Sequence, residues 1–123
     1  MTTTLVARPT TYRGIKMRSR LEAQFAAELD EEGRRWSYEP RAFANQSGQY
    51  LPDFQVHPDD EGEADPYPTF IEVRPTVDGA YRAMSQMPII WDSEPKACLI
   101  IVVPGTTLWW YRIQAMDGWK LLA

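Results

Sequence analysis

Apolar positions recur every four residues from Met17 through Leu21 and Phe25 to Leu29, a spacing that lines one face of an α-helix. The helix is expected over "RSRLEAQFAAELDEEG", with Gly33 placed as a C-capping glycine. Beyond it the period shortens to two. "WSYEPRAF" alternates aromatic and polar positions and reads as a short strand broken by Pro40, and "NQSG" reads as a turn. "QYLPDFQV" reads as a second strand and "TFIEVRP" as a third, with the acid- and proline-rich "HPDDEGEADPYP" between them. These three strands are expected to form a meander. A short helix follows over "VDGAYRAMSQM", ended by Pro88. "KACLIIVV" is apolar throughout, as in a central strand covered on both faces. "TLWWYRIQA" is a further strand, and "GWKLLA" closes the chain.

The order is therefore αβββαββ. It predicts an α/β or α+β domain with a central mixed sheet of about five strands and a helix on each side. A chain of 123 residues fits one domain over residues 1–123, in which residues 1–11 read as a flexible arm. No internal repeat is visible.

Composition narrows the class. The chain is 44% hydrophobic and 24% charged, as in soluble globular proteins. It has no apolar run of about 18 residues or more, so no membrane span is expected. "MTTTLVARPTTYRG" lacks the apolar core of a signal peptide. Cys98 is the single cysteine, which rules out a disulfide framework and a CxxC metal site; "ACLIIVV" makes it a buried strand thiol. A cytoplasmic location is the expectation.

The net charge of −4 argues against a broad nucleic-acid surface, but the distribution matters more. Residues 1–20 carry Arg8, Arg13, Lys16, Arg18 and Arg20 and no acid, while "HPDDEGEAD" carries five acids and no lysine or arginine. The basic end can form one positive patch, or it is simply a solvated arm.

Candidate chemistry lies in the acids inside structured segments. Asp53 falls within the second strand and Glu72 within the third, and neighbouring antiparallel strands can bring two such carboxylates together. Two adjacent carboxylates repel unless a positive charge neutralises them, which a divalent cation does well. Arg74 shares the face of Glu72, because positions i and i+2 of a strand point the same way. Glu22, at the margin of the first helix's apolar stripe, is a third candidate. Two plainer alternatives stand beside these. Ser19-Arg20-Leu21-Glu22 fits a capping box, and Glu72 with Arg74 fits a surface ion pair.

In order, "RSRLEA", "YEP", "YLPDF" and "IEVRP" resemble the PD-(D/E)XK nuclease superfamily, especially its small phage and mobile-element members and the N-terminal nuclease domain of TnsA-type transposon endonucleases. The resemblance covers roughly residues 12–75. It implies a restriction-endonuclease-like core and a metal-dependent DNA endonuclease that uses Mg2+ or Mn2+. It makes Asp53, Glu72 and the Val73 carbonyl metal ligands, with Glu22 helping to hold a metal or its water. Glu39 of "YEP" falls near the site. The pattern places lysine where this chain has Arg74.

That departure has a chemical consequence. Lysine can lose a proton near a metal, whereas arginine stays charged at any useful pH and cannot act as a base. Arg74 can still bind a phosphate and stabilise developing charge. The implied partner is DNA, with Arg13, Lys16, Arg18 and Arg20 on its backbone phosphates. A homodimer or partner subunit is compatible with that role. The alternative function is a weak or inactive module on the same fold that binds nucleic acid or a protein. His57 reads as a solvated loop histidine. Trp109, Trp110 and Tyr111 read as core or dimer contact, with the two tryptophans on opposite faces. Tyr81, Arg82 and Gln86, on the second helix, could touch a bound nucleic acid, though no motif in the sequence points to that.

Overall fold

The computed structural model describes residues 8–60 and 62–122. It begins with a hairpin of β1 (Thr10–Tyr12) and β2 (Ile15–Met17). The turn between them is Arg13-Gly14, with φ of 51° and 79°. Positive φ at both central residues matches the turn whose twist suits a tight hairpin. This corrects the expected flexible arm over residues 1–11: from Thr10 the chain is a paired strand. Three-residue strands are too short to show a hydrophobic period. Residues 1–7 lie outside the described residues.

Helix α1 (Arg20–Glu31) starts at Ser19, whose hydroxyl accepts the Glu22 N–H. It ends in the loop geometry that Gly33 permits, at φ 72°. There the Arg34 N–H bonds the Leu29 carbonyl (2.9 Å) and the Gly33 N–H bonds the Asp30 carbonyl (3.0 Å). Of the predicted stripe, Phe25 and Leu29 are buried and Leu21 is half-buried. Met17 is also buried, but from β2 and not from the helix.

The remaining strands are β3 (Arg35–Tyr38), β4 (Phe43–Asn45), β5 (Gly48–Tyr50), β6 (Phe54–His57), β7 (Thr69–Val73), β8 (Cys98–Val102), β9 (Trp109–Arg112) and β10 (Lys120–Leu121). Helix α2 (Val77–Gln86) and a 3-10 turn (Met87–Asp92) lie between β7 and β8. Six strands form one sheet in the order β10-β9-β8-β7-β6-β3. Only β7–β8 is parallel in it, so the sheet is mixed and the fold is α+β. The predicted meander appears as β3-β6-β7, and the sheet gains β10 over the five strands expected.

Alternation along β7 sends Phe70 to one face and Ile71 and Val73 to the other. The Ile71 face packs under α1 with Phe25, Ala26, Leu29 and Phe54. The Phe70 face packs under α2, the 3-10 turn and the β4–β5 ribbon. Trp110 belongs to the α2 face, while Trp109 packs against Phe25 on the α1 face at 6.0 Å between ring centres. The paired tryptophans are thus core on opposite faces. Cys98 is half-buried in β8, and burial pushes its thiol up from the ordinary range.

Asp30 ties the hairpin to the helix. It accepts from the Tyr12 hydroxyl (2.6 Å) and the Trp36 indole (2.9 Å) and pairs with Arg13 at 3.0 Å. The hydrogen bonds from Tyr12 and Trp36 hold its carboxyl below the usual range. Its contribution is therefore full above the ordinary carboxylate pKa and is lost as pH falls through the lowered value. Asp30→Ala is expected to destabilise the fold by about 1 kcal/mol, since it removes the acceptor of two part-buried hydrogen bonds. A urea titration at neutral pH checks this, and an unchanged midpoint would refute it.

Candidate functional site

The site forms where β6 begins and β7 ends. The chain predicted as one strand, "QYLPDFQV", is divided: β5 stops at Tyr50 and β6 starts at Phe54, with Pro52 and Asp53 in the bend between. Asp53 is therefore not inside a strand, as the sequence suggested. Pro52 has no N–H to give a sheet ladder, which suits it to a break. The register pairs Phe54 with Ile71, so Asp53 and Glu72 stand at the next step. The Asp53 Oδ2 accepts the Val73 N–H at 2.8 Å, fixing the carboxylate against β7.

Glu39 locks the bend from the other side. It has φ 45°, in the left-handed region uncommon for glutamate. The following Pro40 disfavours the ordinary helical conformation there. The Glu39 N–H donates to the Asp53 carbonyl at 2.7 Å. Its side chain lies 3.5 Å from Arg18. The "YEP" segment thus acts on the site mainly through its backbone.

Three carboxylates line one cleft of about 550 Å³. They come from three elements: Glu22 from α1, Asp53 from the bend, and Glu72 from β7. Their exposures are 5%, 2% and 4%, which makes them the buried acids of the described fold. Each of their six oxygens accepts a hydrogen bond. Glu22 accepts from the Ser19 hydroxyl (2.8 Å) and the Tyr38 hydroxyl (2.9 Å). Asp53 accepts from Arg18 (2.9 Å) and the Val73 N–H. Glu72 accepts from the Tyr50 hydroxyl and from Arg74 Nε (2.7 Å). Arg74 also donates to the Gln86 side chain at 3.2 Å, which brings α2 to the edge of the site.

Burial and the nearby charges of Glu72 and Glu22 push the Asp53 carboxyl well up. Burial likewise raises Glu72, while Tyr50 and Arg74 oppose that rise. Burial pushes the Tyr38 hydroxyl up to about 12 and raises the Tyr50 hydroxyl well above its ordinary value, so both remain donors at neutral pH. Burial and mutual repulsion thus make Asp53 and Glu72 hold protons more readily than exposed carboxyls do.

Ser19 caps the helix and Glu22 faces the cleft, so the two alternatives for Glu22 hold together. The capping box is incomplete, because Glu22 bonds the Ser19 hydroxyl rather than a backbone N–H. The four basic residues predicted for a phosphate surface separate. Arg18 and Arg20 line the cleft, as do Arg8 and Arg74. Arg13 instead pairs with Asp30, eight residues along α1 from Glu22, or about 12 Å. Lys16 is exposed on β2 and does not line the cleft. His57 ends β6 and bonds the Ser37 hydroxyl at 2.6 Å; it is half-buried structure rather than a solvated loop residue. Tyr81 packs on Trp110, and it does not line the cleft.

Sequence reasoning passed over Tyr38 and Tyr50 as site residues. The available signal was a tyrosine beside each acidic motif, in "YEP" and "YLPDF", since a buried hydroxyl needs a partner. Arg8 was assigned to the arm.

The acidic "HPDDEGEAD" segment leaves β6 at the end away from Asp53. The four residues of β6 set it back by about 13 Å, beyond a Debye length of about 8 Å at physiological salt. A chain of net charge −4 can thus present a cleft rimmed by four arginines.

Among the described residues, no three His, Cys, Asp or Glu side chains converge as a ready-made metal cage. The donor set is nonetheless hard carboxylate oxygen in a charge-rich, buried cluster, the chemistry that magnesium and manganese take. The residues fit such an ion in kind, since an ionised carboxylate oxygen keeps a second lone pair beside the hydrogen bond it accepts. No described helix is long and apolar enough to cross a membrane. Compared with models of protein families, with curated proteins and with solved structures, the chain matches none.

Proposed function

We propose that the protein is a metal-dependent DNA endonuclease of the PD-(D/E)XK type. The observation that carries this reading is the buried trio Glu22, Asp53 and Glu72 at one cleft with arginines on its rim. Asp53, Glu72, the Val73 carbonyl and Glu22 would hold Mg2+ or Mn2+. A bound ion of this kind supplies Lewis-acid stabilisation of the phosphate and a water of lowered pKa. Tyr38 and Tyr50 orient Glu22 and Glu72 from behind. Arg20 and Arg8, which form no ion pair among the described residues, bind the flanking phosphates. Arg74, held between Glu72 and Gln86, keeps its charge and binds the nonbridging oxygens of the scissile phosphate. It takes no proton.

The test is nicking of supercoiled plasmid with Mg2+ or Mn2+, set beside excess chelator. Cleavage only with metal supports the proposal; equal cleavage in chelator refutes it. Arg74→Ala is expected to lower the rate about 10²- to 10³-fold, as removal of a charge-stabilising donor does. Arg74→Lys is expected to retain most of the activity, because the charge survives. A rate unchanged in Arg74→Ala would remove Arg74 from the chemistry.

A second reading is a non-cleaving module on the same fold that binds nucleic acid or a protein. It is favoured by Arg74 at the lysine position and by the donors on all six carboxylate oxygens. Under it, neither the unmodified protein nor Arg74→Lys cleaves, while binding persists.

A further inference from the structure

Asp53 is almost fully buried, but the cation that neutralises it is not. The Arg18 side chain is 59% exposed and reaches in with one amino group, 2.9 Å from Asp53 Oδ1. Its Nε lies 3.5 Å from Glu39. The backbone at Arg18 is fixed, since its N–H donates to the Tyr38 hydroxyl (3.0 Å), which in turn donates to Glu22. A long, half-solvated side chain on an anchored backbone can swing without disturbing the acids beneath it. It sits between an anionic floor and the open mouth of the cleft, where Arg20 also stands.

Two cations cannot share Asp53 Oδ1 comfortably, because like charges at contact distance repel strongly in a partly buried site. A phosphodiester at the mouth offers the Arg18 guanidinium two oxygens, the bidentate arrangement that arginine favours. The geometry points to Arg18 as a resident counter-ion of the acid cluster, drawn off Asp53 by a nucleic-acid backbone, so that DNA and a divalent ion bind cooperatively. This rests on the proposed metal site and adds the residue that couples it to substrate. Reciprocity follows: the factor by which DNA tightens the metal is the factor by which the metal tightens DNA.

Calorimetric titration of the full chain with Mn2+ tests the coupling, with and without a short phosphorothioate duplex that resists cleavage. Arg18→Gln is expected to bind Mn2+ more tightly than the unmodified protein without DNA, by roughly 5- to 150-fold, the usual span of such couplings. The duplex is expected to tighten Mn2+ binding in the unmodified protein and to have little effect in Arg18→Gln. Arg18→Lys, which keeps the charge but not the two-pronged phosphate contact, is expected to bind Mn2+ without DNA as the unmodified protein does and to respond less to the duplex. A circular dichroism melt establishes that each variant is folded. If the unmodified protein and Arg18→Gln bind Mn2+ equally, and Asp53→Asn abolishes binding, the counter-ion role is overturned and the metal site stands. If neither binds Mn2+ with or without the duplex, both fall.

Discussion

Asp53→Asn is expected to abolish metal-dependent cleavage of plasmid DNA and, in the same protein, to raise the stability of the fold. The two effects have one cause. Asp53 is a carboxylate 2% exposed, facing Glu72 and Glu22, with its carboxyl pushed well up by burial and by those charges. Asparagine keeps an oxygen for the Val73 N–H but removes the charge. The loss of cleavage should exceed the roughly 10- to 100-fold that follows loss of an outer-shell partner of a metal site. The gain in stability should be about 1 kcal/mol, because the charge that burial opposes is gone and Arg18, 59% exposed, turns to water rather than being left buried without a partner.

The pH dependence has a definite sign. Asp53 and Glu72 hold protons in the folded state at pH values where the unfolded chain has released them. Stability therefore falls as pH rises from the ordinary carboxylate range through their raised values. Asp53→Asn should flatten that fall. Cleavage assays and thermal melts over the same pH range check both halves. A variant that still cleaves, or one less stable than the parent at neutral pH, would contradict this account of Asp53.

The largest loss of stability is expected at Phe54. It is fully buried, and its ring lies 5.4 Å from Phe25, 5.6 Å from Trp36 and 5.4 Å from Tyr38. It is thus the point at which α1, β3 and β6 meet, one residue from Asp53. Phe54→Ala is expected to remove about 3–5 kcal/mol, the range for truncating a buried phenylalanine. Against a typical total of about 5–15 kcal/mol, that leaves the fold marginal. Phe54→Leu fills more of the space and should recover much of the loss. Urea unfolding of the two variants measures the difference. A loss below about 1 kcal/mol in Phe54→Ala would mean that these rings do not pack as described.

How much of this was legible in the sequence depends on the length of each signal. Helices α1 and α2 and strands β7 and β8 have enough residues to show a period, and they lie where the pattern puts them. The β1–β2 hairpin does not; its strands of three residues are recognisable only from the Arg13-Gly14 turn. Asp53 and Glu72 were readable as neighbours because strand pairing turns sequence spacing into proximity. Glu22 was readable only as an alternative, since one S-x-x-E pattern serves both a helix start and a site. The basic cluster misled in part. Local density put Arg13 with Arg18, but the hairpin turn carries Arg13 to the far end of α1. The tyrosines of "YEP" and "YLPDF" hint at the roles of Tyr38 and Tyr50 only by standing beside acids, because alternation alone assigns an aromatic residue in a strand to packing and says nothing about its hydroxyl.

The connection between β6 and β7 enters and leaves the sheet at the end away from Asp53 and Glu72. Lengthening a flexible connection is thermodynamically mild, about 0.6 kcal/mol for each doubling. That turn is therefore where the chain can accept an inserted tag, label or additional module while the geometry of the acids is left as it stands.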